Sequence, residues 1–204
     1  MAEQQGEQAP SSLCDQLQIT GEELQTRLSF LSFAEQDGRN LVEIRDVIAL
    51  HIDDIIGEFY GHLLQFEELR GILSDQALVE RLKGTQRQYL LSLGLSADCV
   101  EYAEGRLRIG LTHERVGLKQ KWYLGAYHKL YELILQRLAV RYSGDASRLS
   151  SLVLTLNKII TLDEVFVVET YYHATMQRLE DSLHRLKDAH RQLEDFSRRD
   201  SLTP

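Results

Sequence analysis

Apolar residues recur at steps of three and four along most of this chain, which is the spacing of amphipathic helices. A short first helix is predicted to open at the capping pattern Thr20-Gly21-Glu22-Glu23. A longer stripe predicts one helix, or two in line, over about 38–66: Leu41, Ile44, Ile48, Ile52, Ile55, Phe59, Leu63 and Phe66. Ser74 is predicted to cap the next helix. Further helices are predicted over about 97–114 and 119–142.

A last helix is predicted from about residue 145, and no helix-breaking residue interrupts it before Pro204. Its C-terminal part carries residues at alternating steps of four and three: Tyr172, Met176, Leu179, Leu183, Leu186, His190 and Leu193. This period of about 3.5 residues is the a/d seam of a coiled coil, and a solvated helix folded back on the domain is the alternative. A coiled coil needs a second chain, so the pattern predicts a homodimer.

Proline is nearly absent, since Pro10 and Pro204 are the only two in 204 residues. The chain has 13 glycines, and no turn dipeptide flanked by alternating apolar residues indicates a hairpin. Long stretches without a helix breaker favour an all-α fold. The polar residues 1–19 are predicted to form a flexible leader.

Composition and charge exclude several classes of protein. The net charge of −8 argues against nucleic acid or an anionic membrane as the main partner, because both attract basic surfaces. No apolar run is long enough to span a bilayer, and the acidic, polar start does not resemble a signal peptide. Cys14 and Cys99 are too far apart in sequence to indicate a disulfide framework or a zinc site. A cytoplasmic protein is predicted.

No hydrolase or transferase motif is present, and the seven histidines form no close ligand pair. A single histidine can still be the axial ligand of haem iron, because the porphyrin supplies the other four nitrogens. His113 is the best candidate, since it lies near a helix end and Gly110 leaves room for a flat ring to approach the backbone. A structural histidine is the alternative interpretation.

Two polar residues interrupt apolar stripes on other predicted helices. Tyr60 lies between Ile56 and Leu64, and Thr85 interrupts the stripe that contains Leu82. The tyrosine could bury its ring and leave its hydroxyl wet, and the threonine could bond to the carbonyl four residues earlier. Together they also describe a gas pocket, in which a hydroxyl donor slows the release of O₂ more than that of CO.

The segment from His113 to Ala126 (HERVGLKQKWYLGA) resembles the proximal segment of the globin-coupled sensors. Glu58-Phe59-Tyr60 is similar to that family's distal tyrosine segment, and the segment 79–85 (VERLKGT) is similar to its distal helix. The resemblance covers about residues 20–170. It implies a globin fold with an extra N-terminal helix and a b-type haem, followed by a coiled-coil helix over 171–198.

The resemblance also implies roles for individual residues. His113 would be the proximal ligand of the haem iron, and Tyr60 would donate a hydrogen bond to bound O₂. Thr85 would tune that bond, and Leu82 would control space and water entry. Tyr123 would hydrogen-bond near His113, or else belong to the core or to an interface. Two aromatic residues complete the predicted haem-binding set: Phe59 and Trp122.

The tail Arg199-Asp200-Ser201-Leu202-Thr203 resembles the D-x-L-T opening of a diguanylate cyclase (GGDEF) domain. Residues 199–204 would then be the truncated start of an output domain, and a chemotaxis output would need a different continuation after residue 196. The predicted function is a haem-based sensor of O₂, with CO and NO as further ligands, that regulates synthesis of cyclic di-GMP. The residues present would not themselves be an enzyme. A non-haem helical dimerisation module is the alternative.

Overall fold

The computed structural model describes the backbone of residues 12–200 and the side chains of residues 12–194, and every regular element in this part of the chain is a helix. The helices are α1 (Leu13–Gln16), α2 (Gly21–Phe30), α3 (Glu35–Leu50), α4 (Ile52–Leu63), α5 (Glu67–Ile72), α6 (Gln76–Leu91), α7 (Val100–Arg115), α8 (Gln120–Arg141) and α9 (Ala146–Asp200). The predicted all-α class is confirmed.

Helix boundaries agree with the predictions in one place and differ in another. The long stripe over 38–66, predicted as one helix or two in line, forms two: α3 ends and α4 begins at His51. The predicted cap Ser74 is wrong, because Asp75 caps α6 by accepting a hydrogen bond from the backbone N–H of Ala77 at 2.9 Å. The six-residue α5 was not predicted, since a helix this short shows no periodic stripe.

Residues 12–19 have a defined place in the fold, which differs from the flexible leader predicted for 1–19. Cys14 is only 2% exposed, and its backbone N–H donates to the Glu104 carboxylate on α7 at 2.9 Å. Ile19 is buried in the same core. Leu13 and Leu17 pack against this core, and these short-range apolar positions give no sustained periodic signal, so only the packing reveals them. Residues 1–11 lie outside the described residues.

The N-terminal half of α9 is the centre of the fold and packs against α3, α7 and α8, while α4 packs against α8 and α6. Its fully buried apolar side chains are Leu152, Leu156, Ile159, Phe166 and Val167. Burying a side chain of this size contributes roughly 1.5–3 kcal/mol. This half of α9 therefore forms a common core with α3, α7 and α8.

A buried polar cluster joins α3 to α9. Asp37 accepts hydrogen bonds from the Thr155 hydroxyl at 2.5 Å and from the Lys158 ammonium group at 2.9 Å. Asn40 donates to the same Thr155 hydroxyl at 2.8 Å. Burial disfavours the charged carboxylate, but Thr155, the backbone N–H of Ala34 and Lys158 outweigh it and lower the pKa of Asp37.

Ala174 is the last buried residue of the chain that the structure describes, and Arg178 still pairs with Glu114 of α7 at 2.5 Å. Beyond Arg178 the described residues of α9 are all exposed. The predicted seam residues on this extension are exposed in the single chain: Leu179, Leu183, Leu186 and Leu193. Within the described residues, no helix combines the length and apolarity needed to cross a bilayer.

Candidate functional site

His113 lies on the last turn of α7, and the helix ends because Gly117 adopts a φ of +76°, a left-handed conformation that favours glycine. The ring Nδ1 lies 2.8 Å from the carbonyl oxygen of Ile109. Because a carbonyl only accepts, Nδ1 carries the proton and Nε2 keeps a free lone pair. Burial lowers the pKa of His113, although the bond to Ile109 acts in the opposite direction. The ring is therefore neutral at pH 7 and can bind a metal through Nε2.

The ring of His113 packs edge-on against Tyr123 of α8, with 4.5 Å between the ring centroids. Tyr123 in turn packs on Tyr127 at 5.3 Å and on Tyr171 of α9 at 6.3 Å. The Tyr171 hydroxyl donates to the carbonyl of Leu118 at 2.8 Å, which ties the segment after His113 to α9. The structure thus gives Tyr123 a ring contact with His113, in the core, where the sequence had suggested a hydrogen bond.

Gly110 has a different use from the predicted one. A Cβ atom at this position would lie 3.1 Å from the side chain of Thr170 and 3.4 Å from the Cα of Val167. The missing side chain therefore lets α7 approach α9 closely, and it does not make room for a flat ring. The interpretation of Gly110 as space for haem is wrong, because a helix of the same chain occupies that space.

Tyr60 is 6% exposed on α4, and its hydroxyl has no hydrogen-bond partner among residues 12–194. Burial raises the pKa of Tyr60 to about 12, so the hydroxyl keeps its proton and remains a donor. The neighbouring Phe59 is buried as well, and the two rings meet edge to face at 5.4 Å. A nearly buried phenol with an unused proton is a candidate donor to a bound ligand.

The distal-helix residues are less buried than Tyr60. Leu82 is half-buried and Thr85 is exposed on α6. The Thr85 hydroxyl donates to the carbonyl of Arg81 at 3.3 Å, which is the alternative that the sequence left open. Its proton is therefore used within α6, and its lone pairs remain free to accept. In this conformation Thr85 is therefore not a second donor.

The two helices that carry these residues have different packing partners. Along their described lengths α6 packs on α3 and α4, whereas α7 packs on α1 and α9. The two helices meet where the guanidinium group of Arg106 lies 4.4 Å from the ring centroid of Tyr89.

Trp122 connects the start of α8 to α5. Its indole N–H donates to Glu68 at 3.0 Å, and its ring lies 5.0 Å from that of Phe66. Lys119 also pairs with Glu68 at 2.8 Å. These donors lower the pKa of Glu68 to about 2, the Lys119 hydrogen bond having the largest effect. The sequence analysis missed Glu68, because an exposed acid in a short helix carries no pattern.

A second group that the sequence analysis missed surrounds Asp163 of α9, whose side chain is completely buried. The hydroxyls of Tyr89 and Tyr102 donate to its two carboxylate oxygens, at 2.8 and 2.6 Å. Arg106 Nε lies 3.3 Å from the same carboxylate as an ion pair, without hydrogen-bond geometry. The sequence signal that could have indicated this group is one acidic residue, Asp163, inside an apolar stripe of α9. An acid that is buried requires hydrogen-bond or charged partners.

A shallow depression of about 400 Å³ between α4 and α6 contains none of the predicted haem residues. Its charged side chains pair with each other, Arg87 with Asp53 and Lys83 with Glu80. The pairs leave no net charge to attract a ligand.

The site residues fit a haem group. They supply one neutral imidazole with a free Nε2 and, on another helix, the hydroxyl of Tyr60, whose ring is buried beside Phe59. Fold and site together define a helical domain of the globin type.

The comparisons with known proteins agree with this class. The model of the Protoglobin family matches residues 20–177, so the chain belongs to the Protoglobin family. The globin domain of the Geobacter sulfurreducens globin-coupled sensor superposes with a TM-score of 0.67 at 20% identity, covering 72% of this chain and 96% of that domain. At this identity the likeness shows the fold alone. The predicted globin fold with an extra N-terminal helix is confirmed.

The chain is also similar to the Heme-based aerotactic transducer HemAT of Halobacterium salinarum, with 32% identity over 181 residues. That alignment covers 84% of this chain but 37% of the transducer, so the chain spans little more than a third of this relative's length.

Proposed function

We propose that this chain is the haem-binding gas-sensor domain of a globin-coupled sensor, with b-type haem held by His113. The observation that carries the proposal is the hydrogen bond from His113 Nδ1 to the Ile109 carbonyl, which leaves Nε2 as a neutral, unprotonated ligand. Membership of the Protoglobin family supports the same cofactor, as does the similarity to a heme-based transducer.

Haem held by His113 would supply an iron atom that binds O₂, CO or NO reversibly. The chain's own residues then set the affinity. Tyr60 would donate a hydrogen bond to the bound gas, and Thr85 would tune that bond. Leu82 and Phe59 limit water around the gas, and Trp122 closes the side next to α5.

We further propose that the seam residues of α9 pair with a second copy of this chain. Leucines at heptad spacing are exposed over several turns of the helix, and burying them between two chains removes that apolar area from water. The last two helices, α8 and α9, would complete the dimer contact.

The output is proposed to be a diguanylate cyclase linked to the C-terminal end of α9. The residues 199–203 support this proposal through their resemblance to a cyclase opening, although Ser201 to Pro204 lie outside the described residues. A second candidate output is a chemotaxis signalling domain, which the similarity to an aerotactic transducer favours. O₂-dependent conversion of GTP to cyclic di-GMP by the natural full-length protein would support the cyclase, and its absence at every O₂ concentration would favour the second candidate.

The test of haem binding is the absorption spectrum of the reconstituted protein. We expect a Soret band that shifts when the reduced protein meets O₂ or CO. His113→Ala should abolish stable haem binding, whereas His184→Ala, at an exposed position on α9, should leave the spectrum unchanged. A wild-type protein without a Soret band would favour a non-haem dimerisation module. Haem retained by His113→Ala with an unaltered ferrous spectrum would assign the ligand elsewhere.

Tyr60→Phe tests the distal donor. Losing one hydrogen bond of about 1–1.5 kcal/mol should speed O₂ dissociation roughly tenfold. CO dissociation should change less, because CO is a poorer acceptor. Stopped-flow measurements give the dissociation rates of both gases. Tyr142→Phe is the control, because it removes a hydroxyl that donates to Glu43 of α3. An unchanged O₂ dissociation rate would remove Tyr60 from the role of donor.

A further inference from the structure

Asp163 is the most buried charged group in the described part of the chain, and the gas-binding role described above does not use it. Its two carboxylate oxygens accept the hydroxyl protons of Tyr89 and Tyr102. The guanidinium group of Arg106 pairs with the same carboxylate and lies between the two tyrosine rings, 4.4 Å from one centroid and 4.3 Å from the other. All three neighbours favour the ionised form of Asp163, but complete burial outweighs them and raises the pKa of this carboxyl.

The four residues of this junction come from three helices with different roles. Tyr89 lies on the last turn of α6, the proposed distal helix. Tyr102 and Arg106 lie on the first two turns of α7, the helix that ends with His113. Asp163 lies on α9, which continues into the exposed seam. A single carboxylate therefore holds the distal helix, the proximal helix and the helix that leads out of the domain.

The junction is also where α6 and α7 meet. The two helices are connected by residues 92–99 next to the junction, and they do not pack closely on each other along the rest of their described lengths. His113 lies seven residues beyond Arg106, which is about 10 Å along the helix axis. A change in the separation of the two helices at the gas site therefore changes the angle between them at Asp163.

A second series of contacts leads to the same point from the proximal histidine. The ring of Tyr123 touches His113, and Tyr127 packs on Tyr123. Tyr127 then packs edge-on against Tyr89 at 6.3 Å, one side chain away from Asp163. Packed aromatic rings therefore connect His113 to the junction without a gap, so a displacement of the His113 ring can be transmitted to Tyr89.

We propose that Asp163 is a positioning residue through which α9 responds to the angle between α6 and α7 when a gas binds. The inference rests on the proposed function, because it takes haem between these helices as given. The bound gas stabilises one separation of α6 and α7, and the tyrosine–carboxylate bonds transmit that separation to α9. The response is then passed along α9 toward the seam.

The experiment compares hydrogen–deuterium exchange of the ferrous, haem-loaded chain with and without carbon monoxide. We expect wild-type peptides from residues 146–174 to show a CO-dependent difference. Tyr89→Phe cuts the bond from the distal helix only, and Tyr102→Phe cuts the bond from the proximal helix only. Each should reduce the CO-dependent difference by roughly half or more, and Asp163→Asn should reduce it further. CO affinity should change less, since none of these residues contacts the gas.

Tyr142→Phe is the matched control. The Tyr142 hydroxyl also donates to a carboxylate on another helix, Glu43 of α3, at 3.0 Å. Its loss should lower stability in the same way as the junction variants but preserve the CO-dependent difference in α9. The proposal is overturned if Tyr89→Phe and Tyr102→Phe both fold and keep the full wild-type difference. That outcome would assign the junction a role in stability alone.

The two proposals fail in different ways. A wild-type protein whose Soret band shifts with CO, but whose α9 exchange does not change, overturns the role of Asp163 and leaves gas binding intact. A protein with no Soret shift overturns both. If Asp163→Asn does not fold, the two tyrosine variants still test the proposal. Each of them removes one hydrogen bond and keeps the Asp163 carboxylate and its ion pair with Arg106.

Discussion

The two halves of α9 form one continuous helix but have opposite surroundings. In the N-terminal half, Leu156 is 0% exposed and Phe166 is equally buried. In the C-terminal half, Leu186 is 67% exposed and Leu193 is exposed to a similar degree. Both halves present leucines at helical spacing, so the presence of apolar residues does not by itself decide where a helix is buried.

Polar residues distinguish the halves more clearly than leucines do. Asp163, Thr155 and Thr170 of the N-terminal half are buried, and each has hydrogen bonds to other residues of this chain. The described polar residues of the C-terminal half after Met176 are exposed. A buried polar group is stable only where its partner is already fixed. The first half is therefore completed by its own chain, whereas the second half leaves an apolar stripe exposed.

The largest expected effect is on the buried half. Phe166→Ala should lower the free energy of unfolding by about 3–5 kcal/mol, because it removes a fully buried aromatic ring and leaves a cavity. Urea denaturation followed by circular dichroism measures the change. Phe30→Ala is the matched control, since Phe30 is 89% exposed and its loss should cost less than about 0.5 kcal/mol. Equal losses at the two positions would contradict the burial described for α9.

A smaller effect is expected on the exposed half, and it concerns the free energy of association of two chains. Leu183→Ala should weaken association of two chains by about 2 kcal/mol or more, because it shortens a seam side chain. The unfolding of the domain should change by less than about 0.5 kcal/mol. Sedimentation equilibrium measures the association, with Ser182→Ala as a neighbour outside the seam. Identical association of the two variants would indicate that the seam does not pair.

The smallest expected effect concerns the bond between Asp37 and the buried half of α9. The pKa of Asp37 is lower in the folded chain than in the unfolded chain, so this carboxylate contributes stability above its unfolded pKa. That contribution is lost as the pH falls through the folded value. Asp37→Asn should lower the free energy of unfolding by about 1.5 kcal/mol at pH 7. Below about pH 4 the free energy of unfolding of this variant should fall less steeply with pH than that of the wild type.

Denaturation midpoints from pH 7 to pH 2 test this dependence on Asp37. Asp54→Asn, which changes an exposed acid on α4, is the control and should leave the acid limb as steep as in the wild type. A steep acid limb that survives in Asp37→Asn would show that another carboxylate controls the acid transition.

Several features could be predicted because they depend on local sequence. The helices, their order and the end of α7 near Gly117 follow from apolar spacing and from capping residues. His113 and Tyr60 could be selected because each is a polar residue beside apolar helix positions, within motifs that resemble a known family. The structure adds the free Nε2 of the first and the unpartnered hydroxyl of the second.

Other features could not be predicted, because they depend on which helices touch. Gly110 was interpreted as space for a flat group, but its neighbour is Thr170 of α9, sixty residues later in the chain. Tyr89, Tyr102 and Arg106 look like ordinary residues of amphipathic helices until α9 brings Asp163 between them. Spacing along one helix contains no information about the side chains of another.

The sequence alone determined the helical class, the order of the longer helices, the candidate ligand His113 and the heptad stripe, because each arises from residues a few positions apart. The tertiary structure decided which face of α9 is buried, where Asp163 finds its three partners and how α7 meets α9 at Gly110. The physical reason is that burial and hydrogen-bond satisfaction are properties of groups brought together by the whole fold, and a local pattern only makes them possible.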